Sequence, residues 1–192
     1  YLVSRGKRRK RLGIENSRLQ IALLEGEPDL WSYRLRGSRK MHFIAAPSFE
    51  VDGARRQAAL CNIRAPRDPV RLPNGGTEYH FAGQFISDPD LSLGIVFRIP
   101  DDNPVVRFRY VLTSERGRRL TKASGRDQLT YLGLSFAELP KTTEVRFSEF
   151  NPVVHSYCLA ERAVDQRQFD NELRVIGPML VGENESHSTL VA

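Results

Sequence analysis

The chain is poor in the side chains that announce chemistry: 192 residues carry two Cys, one Trp, two Met and four His. Cys61 and Cys158 stand 97 residues apart with no CxxC and no histidine at metal spacing, which excludes zinc ribbons and thioredoxin-like redox pairs. A disulfide between them and two separately buried thiols both remain open, because a free cysteine also behaves as a small hydrophobe. His42, His80, His155 and His187 are scattered singly, without HxH, HxxxH or HExxH, so no metal site is expected. A GxSxG elbow, a GxGxxG turn and a P-loop are missing too, and neither cysteine has a histidine neighbour. No nucleophile, phosphate cradle or cofactor is expected on these grounds.

Long apolar runs are also lacking. None approaches the roughly 18 to 20 residues of a membrane-spanning helix, and a membrane is not expected as a partner. Tyr1-Leu2-Val3 is too short for a signal peptide and the chain does not begin with Met, so the start reads as a processed end or a fragment boundary. The compartment stays open, leaning to the cytoplasm. Acids are missing from the first eleven residues, which carry Arg5, Lys7, Arg8, Arg9, Lys10 and Arg11. These six bases account for the whole net charge of +6 and leave 23 bases against 23 acids in residues 12–192. The high pI therefore reports a basic arm, 1–12, whose like charges favour mobility. Such an arm can grip phosphates by counterion release, but the body is neutral and has no RNP-type aromatic motif, so nucleic acid is not the expected partner.

What is present is alternation. Composition is that of a folded globule, 40% hydrophobic and 27% charged, and from residue 14 onward apolar residues recur with period two, the mark of half-buried strands. Leu91, Leu93, Ile95, Phe97 and Ile99 share one face, opposite Ser92, Gly94, Val96 and Arg98. After Pro100-Asp-Asp-Asn-Pro104, Val106, Phe108, Tyr110 and Leu112 share a side opposite Val105, Arg107, Arg109 and Val111. The two runs predict a β-hairpin around a five-residue turn. Weaker copies fall at 19–23, 31–36, 79–85, 131–136 and 144–148, with shorter runs at 41–51, 58–64, 153–160 and 187–192. Helical spacing shows only faintly, near 160–173. Many short strands between Gly, Pro, Asn and Asp turns predict an all-β fold, a large antiparallel β-sandwich with few or no long helices, as a single domain over 13–192. Ser188-Thr-Leu-Val-Ala192 ends as a strand in need of a partner, which suggests a chain cut from something longer.

Asp101-Asp102 and Glu183/Glu185 are paired acids, yet the first pair sits in turn chemistry and the second in a polar loop, so no catalytic residue is assigned. A weaker candidate is a sugar platform made of Trp31, Glu78, Arg107 and Arg109, with Arg98 across the turn. Against it stands a plain solvent-facing strand whose cross-strand ion pairs contribute at most about 1 kcal/mol each.

Four strings resemble a known family: Phe43-Ile-Ala-Ala-Pro-Ser-Phe-Glu-Val-Asp-Gly53, Pro69-Val-Arg-Leu-Pro-Asn-Gly-Gly-Thr-Glu-Tyr79, Asp101-Asp-Asn-Pro-Val-Val-Arg-Phe-Arg-Tyr110 and Ile176-Gly-Pro-Met-Leu180. They resemble the amino-terminal region of bacterial α-galactosidase-like proteins, in glycoside hydrolase family 36 and its relatives in the α-galactosidase clan. The likeness spans most of residues 14–192, and its motifs are structural signatures. It implies a galactose-mutarotase-like β-supersandwich that leads into a (β/α)₈ barrel, where two aspartates at strand ends perform the chemistry. No catalytic residue carries over. The resemblance also implies the downstream barrel as partner, a homo-oligomer contact, and a role in shaping the pocket for a galactoside. The alternatives are a stand-alone carbohydrate-binding module, disfavoured by the single tryptophan, and a nucleic-acid binder working through residues 5–11.

Overall fold

A computed structural model describes residues 12–26, 28–122, 129–135, 140–146, 149–151, 153–158, 161–164, 179–184 and 187–192. The basic arm up to Arg11, the stretch 165–173 of the faint helical spacing, and residues 176–178 of the fourth string lie outside them. Among the described residues there is no helix: the fold is all-β, built of several antiparallel sheets and sandwich-like in character. No helix of the described residues is long and apolar enough to cross a membrane. The strands divide into two compact units, Tyr1–Ser135 and Phe136–Ala192.

In the first unit the strands are β1 (Leu12–Glu15), β2 (Leu19–Leu23), β3 (Asp29–Leu35), β4 (His42–Ala45), β5 (Ser48–Val51), β6 (Ala54–Gln57), β7 (Leu60–Arg64), β8 (Val70–Leu72), β9 (Gly76–Phe85), β10 (Leu91–Pro100), β11 (Arg107–Ser114), β12 (Leu129–Thr130) and β13 (Leu134–Ser135). One sheet runs β1-β2-β3-β4-β13 and a second β11-β10-β9-β7, with β8 also on β9; a small third sheet runs β12-β5-β6. The apolar faces predicted by alternation meet in one core. Leu19, Ile21, Leu23 and Ile44 come from the first sheet, and Phe81, Phe85, Leu91, Leu93, Ile95, Phe97 and Ile99 from the second. Each fully buried Leu, Ile or Phe contributes about 1.5–3 kcal/mol of transfer free energy, so this shared face is what holds the two sheets together.

The hairpin prediction holds in register, Leu91↔Ser114 through Arg98↔Arg107. Its connection is longer than the five residues expected, because Val105 and Val106 have left the ladder. The cause is a set of polar ties on the loop. Asn16 Nδ2 donates to the Pro100 and Asn103 carbonyls at 2.6 and 2.9 Å, and both terminal nitrogens of Arg71 donate to the Asp101 carboxylate. Asp101 is thus committed to a turn, and the Arg71 hydrogen bond holds its carboxyl below the usual range. Between β5 and β6, Asp52 (φ 49°) and Gly53 (φ 77°) form a two-residue turn with both residues in the left-handed region that Asp-Gly tolerates.

The second unit carries β14 (Lys141–Val145), β15 (Glu149–Asn151), β16 (Ser156–Cys158), β17 (Glu161–Val164), β18 (Met179–Asn184) and β19 (His187–Val191). Its sheet runs β17-β14-β18-β19, beside the pair β15-β16. Two readings change here. The faint helix near 160–173 begins instead as strand β17, hydrogen-bonded to β14. Glu183, expected in a polar loop, is instead near the end of strand β18, paired to Lys141 and Ser188; Glu185 lies outside the described residues.

Candidate functional site

The sequence candidates Trp31, Glu78, Arg107 and Arg109 do not converge. Trp31 belongs to the core. Its strand pairs regularly with β2, Trp31 opposite Leu23 and Tyr33 opposite Ile21, which sets the indole on the core face at 2% exposure; a slip against β4 between Asp29 and Trp31 adds Leu30, 1% exposed. The indole lies edge-on to Phe97 and Phe108, with centroids 5.2 Å away in both cases. Its N–H donates to the Tyr110 hydroxyl at 3.1 Å. A ring enclosed in this way has no free face for a sugar.

Burial pushes the Tyr110 phenol well above its ordinary value, and the Trp31 hydrogen bond opposes that only in part. Because the folded-state value is raised, the stabilisation from a neutral Tyr110 is complete below the unfolded value near about 10 and is lost as pH rises past it. Urea midpoints measured from about pH 9 to 11 should fall with pH, and fall less steeply in Tyr110→Phe. Equal slopes would contradict the assignment.

Glu78, Arg107 and Arg109 lie on the opposite face of the second sheet, as alternation requires. Arg98 pairs with Glu78 on one side and Arg107 on the other; Val96 pairs with His80 and Arg109. Glu78 is almost closed off, with its side chain 11% exposed. It accepts from Arg98 Nε at 2.5 Å and from His80 Nε2 at 2.6 Å. Arg67 Nη2 lies against both ring nitrogens of His80 and stands 3.9 Å from the Glu78 carboxylate. The Arg98 hydrogen bond first, then that from His80, holds the Glu78 carboxyl below its usual range against the opposing effect of burial. Glu78 is therefore an ionised strut that orients Arg98, unsuited to donate a proton.

Arg107 and Arg109 are exposed and have no ion-pair or hydrogen-bond partner among the described residues. With Val96, Arg98 and Phe108 they line a shallow depression of about 160 Å³. Val96 is only 6% exposed although it lies on the outer face; long arginine stems can cover such apolar surface while the charged heads stay in water. The alternation shows Arg107, Arg109 and Arg98, and His80 follows from Glu78 by the same period. Arg67 leaves no such trace, because it reaches the site from the loop before β8.

Other chemistry-bearing groups serve the frame. Arg118 bridges Asp52 at 2.9 Å and Asp88 at 3.4 Å, and Asp52 also accepts from the Arg119 backbone N–H at 3.0 Å. Cys61 is a free thiol, its Sγ 3.6 Å from the Gln84 carbonyl. Among the described residues, no three His, Cys, Asp or Glu side chains are grouped to hold a metal ion. No family model, no curated protein and no solved structure matches the chain.

Proposed function

We propose that the chain is a non-catalytic β-supersandwich module of an α-galactosidase-like glycoside hydrolase, which supports a downstream (β/α)₈ barrel and helps shape its sugar entrance. The parent would release terminal α-galactosyl groups by a retaining mechanism with two carboxylates. One observation carries this reading: three acids within the strings that resemble that family act as struts. Asp52 closes the β5–β6 turn against Arg118 and Arg119, Asp101 holds the β10–β11 loop through Arg71, and Glu78 fixes Arg98. A carboxylate held in an ion pair below its ordinary range is a poor general acid. The strings thus support a frame whose chemistry is done elsewhere.

An α-galactosidase assay on the 192-residue chain, alongside the chain extended by the residues that follow it in its gene, tests the reading. Turnover is expected from the extended protein alone; substantial turnover by the 192 residues would refute the division of labour. Calorimetry with galactosides separates the stand-alone binding module, which requires millimolar or tighter affinity in the isolated chain. The buried Trp31 argues for no such binding.

A further inference from the structure

We propose that the outer face of β9–β10–β11 holds an oxyanion site, in which Arg107, Arg109 and the free end of Arg98 clamp one carboxylate or phosphate group. This goes beyond the supporting role proposed above and does not depend on it.

Arg98 and Arg107 are direct cross-strand partners, and like charges placed opposite each other destabilise a sheet. Arg109 stands next along the same face, beside Val96. Glu78 relieves this crowding only in part. It engages Arg98 through Nε only and is shared with His80 and Arg67, while no acid lines the depression. Arg98 is consequently held in place with its two terminal nitrogens unassigned among the described residues. Orientation fixed in advance reduces what an arginine must lose on binding.

Size selects the ligand. A volume of about 160 Å³ is below the roughly 300 Å³ at which pockets for whole small molecules begin. The depression suits an ionic head group whose remainder stays outside. Guanidinium forks match the paired oxygens of carboxylate and phosphate, which a point-charge ammonium does not. That difference also separates the proposal from the plainer use of charge on β11, which is an edge strand of its sheet. Charged residues on an edge deter pairing with another chain, and lysine would serve that purpose equally well.

The test is calorimetric titration of the full chain at constant ionic strength with inorganic phosphate, glucuronate and neutral galactose. Wild type should bind phosphate or glucuronate and ignore galactose at this site; phosphate alone or glucuronate alone identifies the source of the oxyanion. The double variant Arg107→Lys/Arg109→Lys keeps the net charge and the edge protection, and should lose at least about tenfold in affinity, equivalent to about 1.4 kcal/mol. Its circular dichroism and urea midpoint should match wild type. Equal affinity in wild type and the double variant would reduce the effect to unspecific attraction and overturn the site. So would no heat from either anion at about 10 mM, a concentration that detects even millimolar affinities.

Discussion

Trp31→Ala should lower the stability of the chain by about 3–5 kcal/mol, the range for truncating a large buried aromatic. Three losses combine. The indole is 2% exposed and packs edge-on against Phe97 and Phe108, so its removal opens a cavity where the two main sheets of the first unit meet. Edge-to-face aromatic pairs also contribute about 0.5–1.5 kcal/mol beyond their buried area. The Tyr110 hydroxyl, half-buried beside it, loses its indole partner, and an unsatisfied buried polar group is itself destabilising. Urea unfolding followed by far-ultraviolet circular dichroism measures the change; fluorescence would not serve, because this is the only tryptophan. A tryptophan that stacked on a sugar at the surface would behave in the opposite way, with stability nearly unchanged and ligand affinity lost. A shift under about 1 kcal/mol would return Trp31 to the surface and reopen the carbohydrate platform.

Alternation places Trp31, Tyr33 and Leu35 on one face, and the regular register of β3 with β2 sets that face opposite Leu23, Ile21 and Leu19, on the core side. The sugar platform fails because Glu78, Arg107 and Arg109 lie on the outer face of another sheet, and sheet membership is decided by tertiary pairing that no local pattern shows. The slip of β3 against β4 between Asp29 and Trp31 adds one buried residue, Leu30, that alternation does not place. Where register is regular, the pattern suffices: the hairpin of β10 and β11 follows from its residues, and so does the placement of Arg98, Arg107 and Arg109 on one outer face. The Asp52-Gly53 turn was equally readable from its dipeptide. The network that orients Arg98 was only half readable. His80 shares the Glu78 face by simple period, but Arg67 arrives from a loop whose path depends on tertiary structure. Glu144, 2% exposed in β14, shows the same limit, because a charged residue in an alternating run reads as solvent-facing.

Gly83→Val should destabilise the chain by about 1–3 kcal/mol through overpacking. Opposite Gly83 the neighbouring strand carries an extra residue: Cys61 pairs with Gln84 and Arg64 with Ala82, so Asn62 and Ile63 together face one position. Asn62 takes a left-handed φ of 53° to make this bulge, and Ile63 turns inward, 2% exposed. The room it occupies is the side-chain space that glycine leaves empty. A Cβ at position 83 would stand 3.1 Å from Ile63 Cγ1, 3.1 Å from Leu60 Cδ1 and 3.2 Å from the Cys61 carbonyl. Two of these are fully packed core side chains and the third is backbone, so none can withdraw cheaply. The coupling to Ile63 can be isolated with the smaller substitution Gly83→Ala. In an Ile63→Ala background the added methyl meets one obstacle fewer, so Gly83→Ala should be less destabilising there than in wild type, with an interaction free energy of about 0.5 kcal/mol or more. Strict additivity in that double-mutant cycle would mean that the bulge does not press on Gly83, and the packing account of this corner of the core would fail.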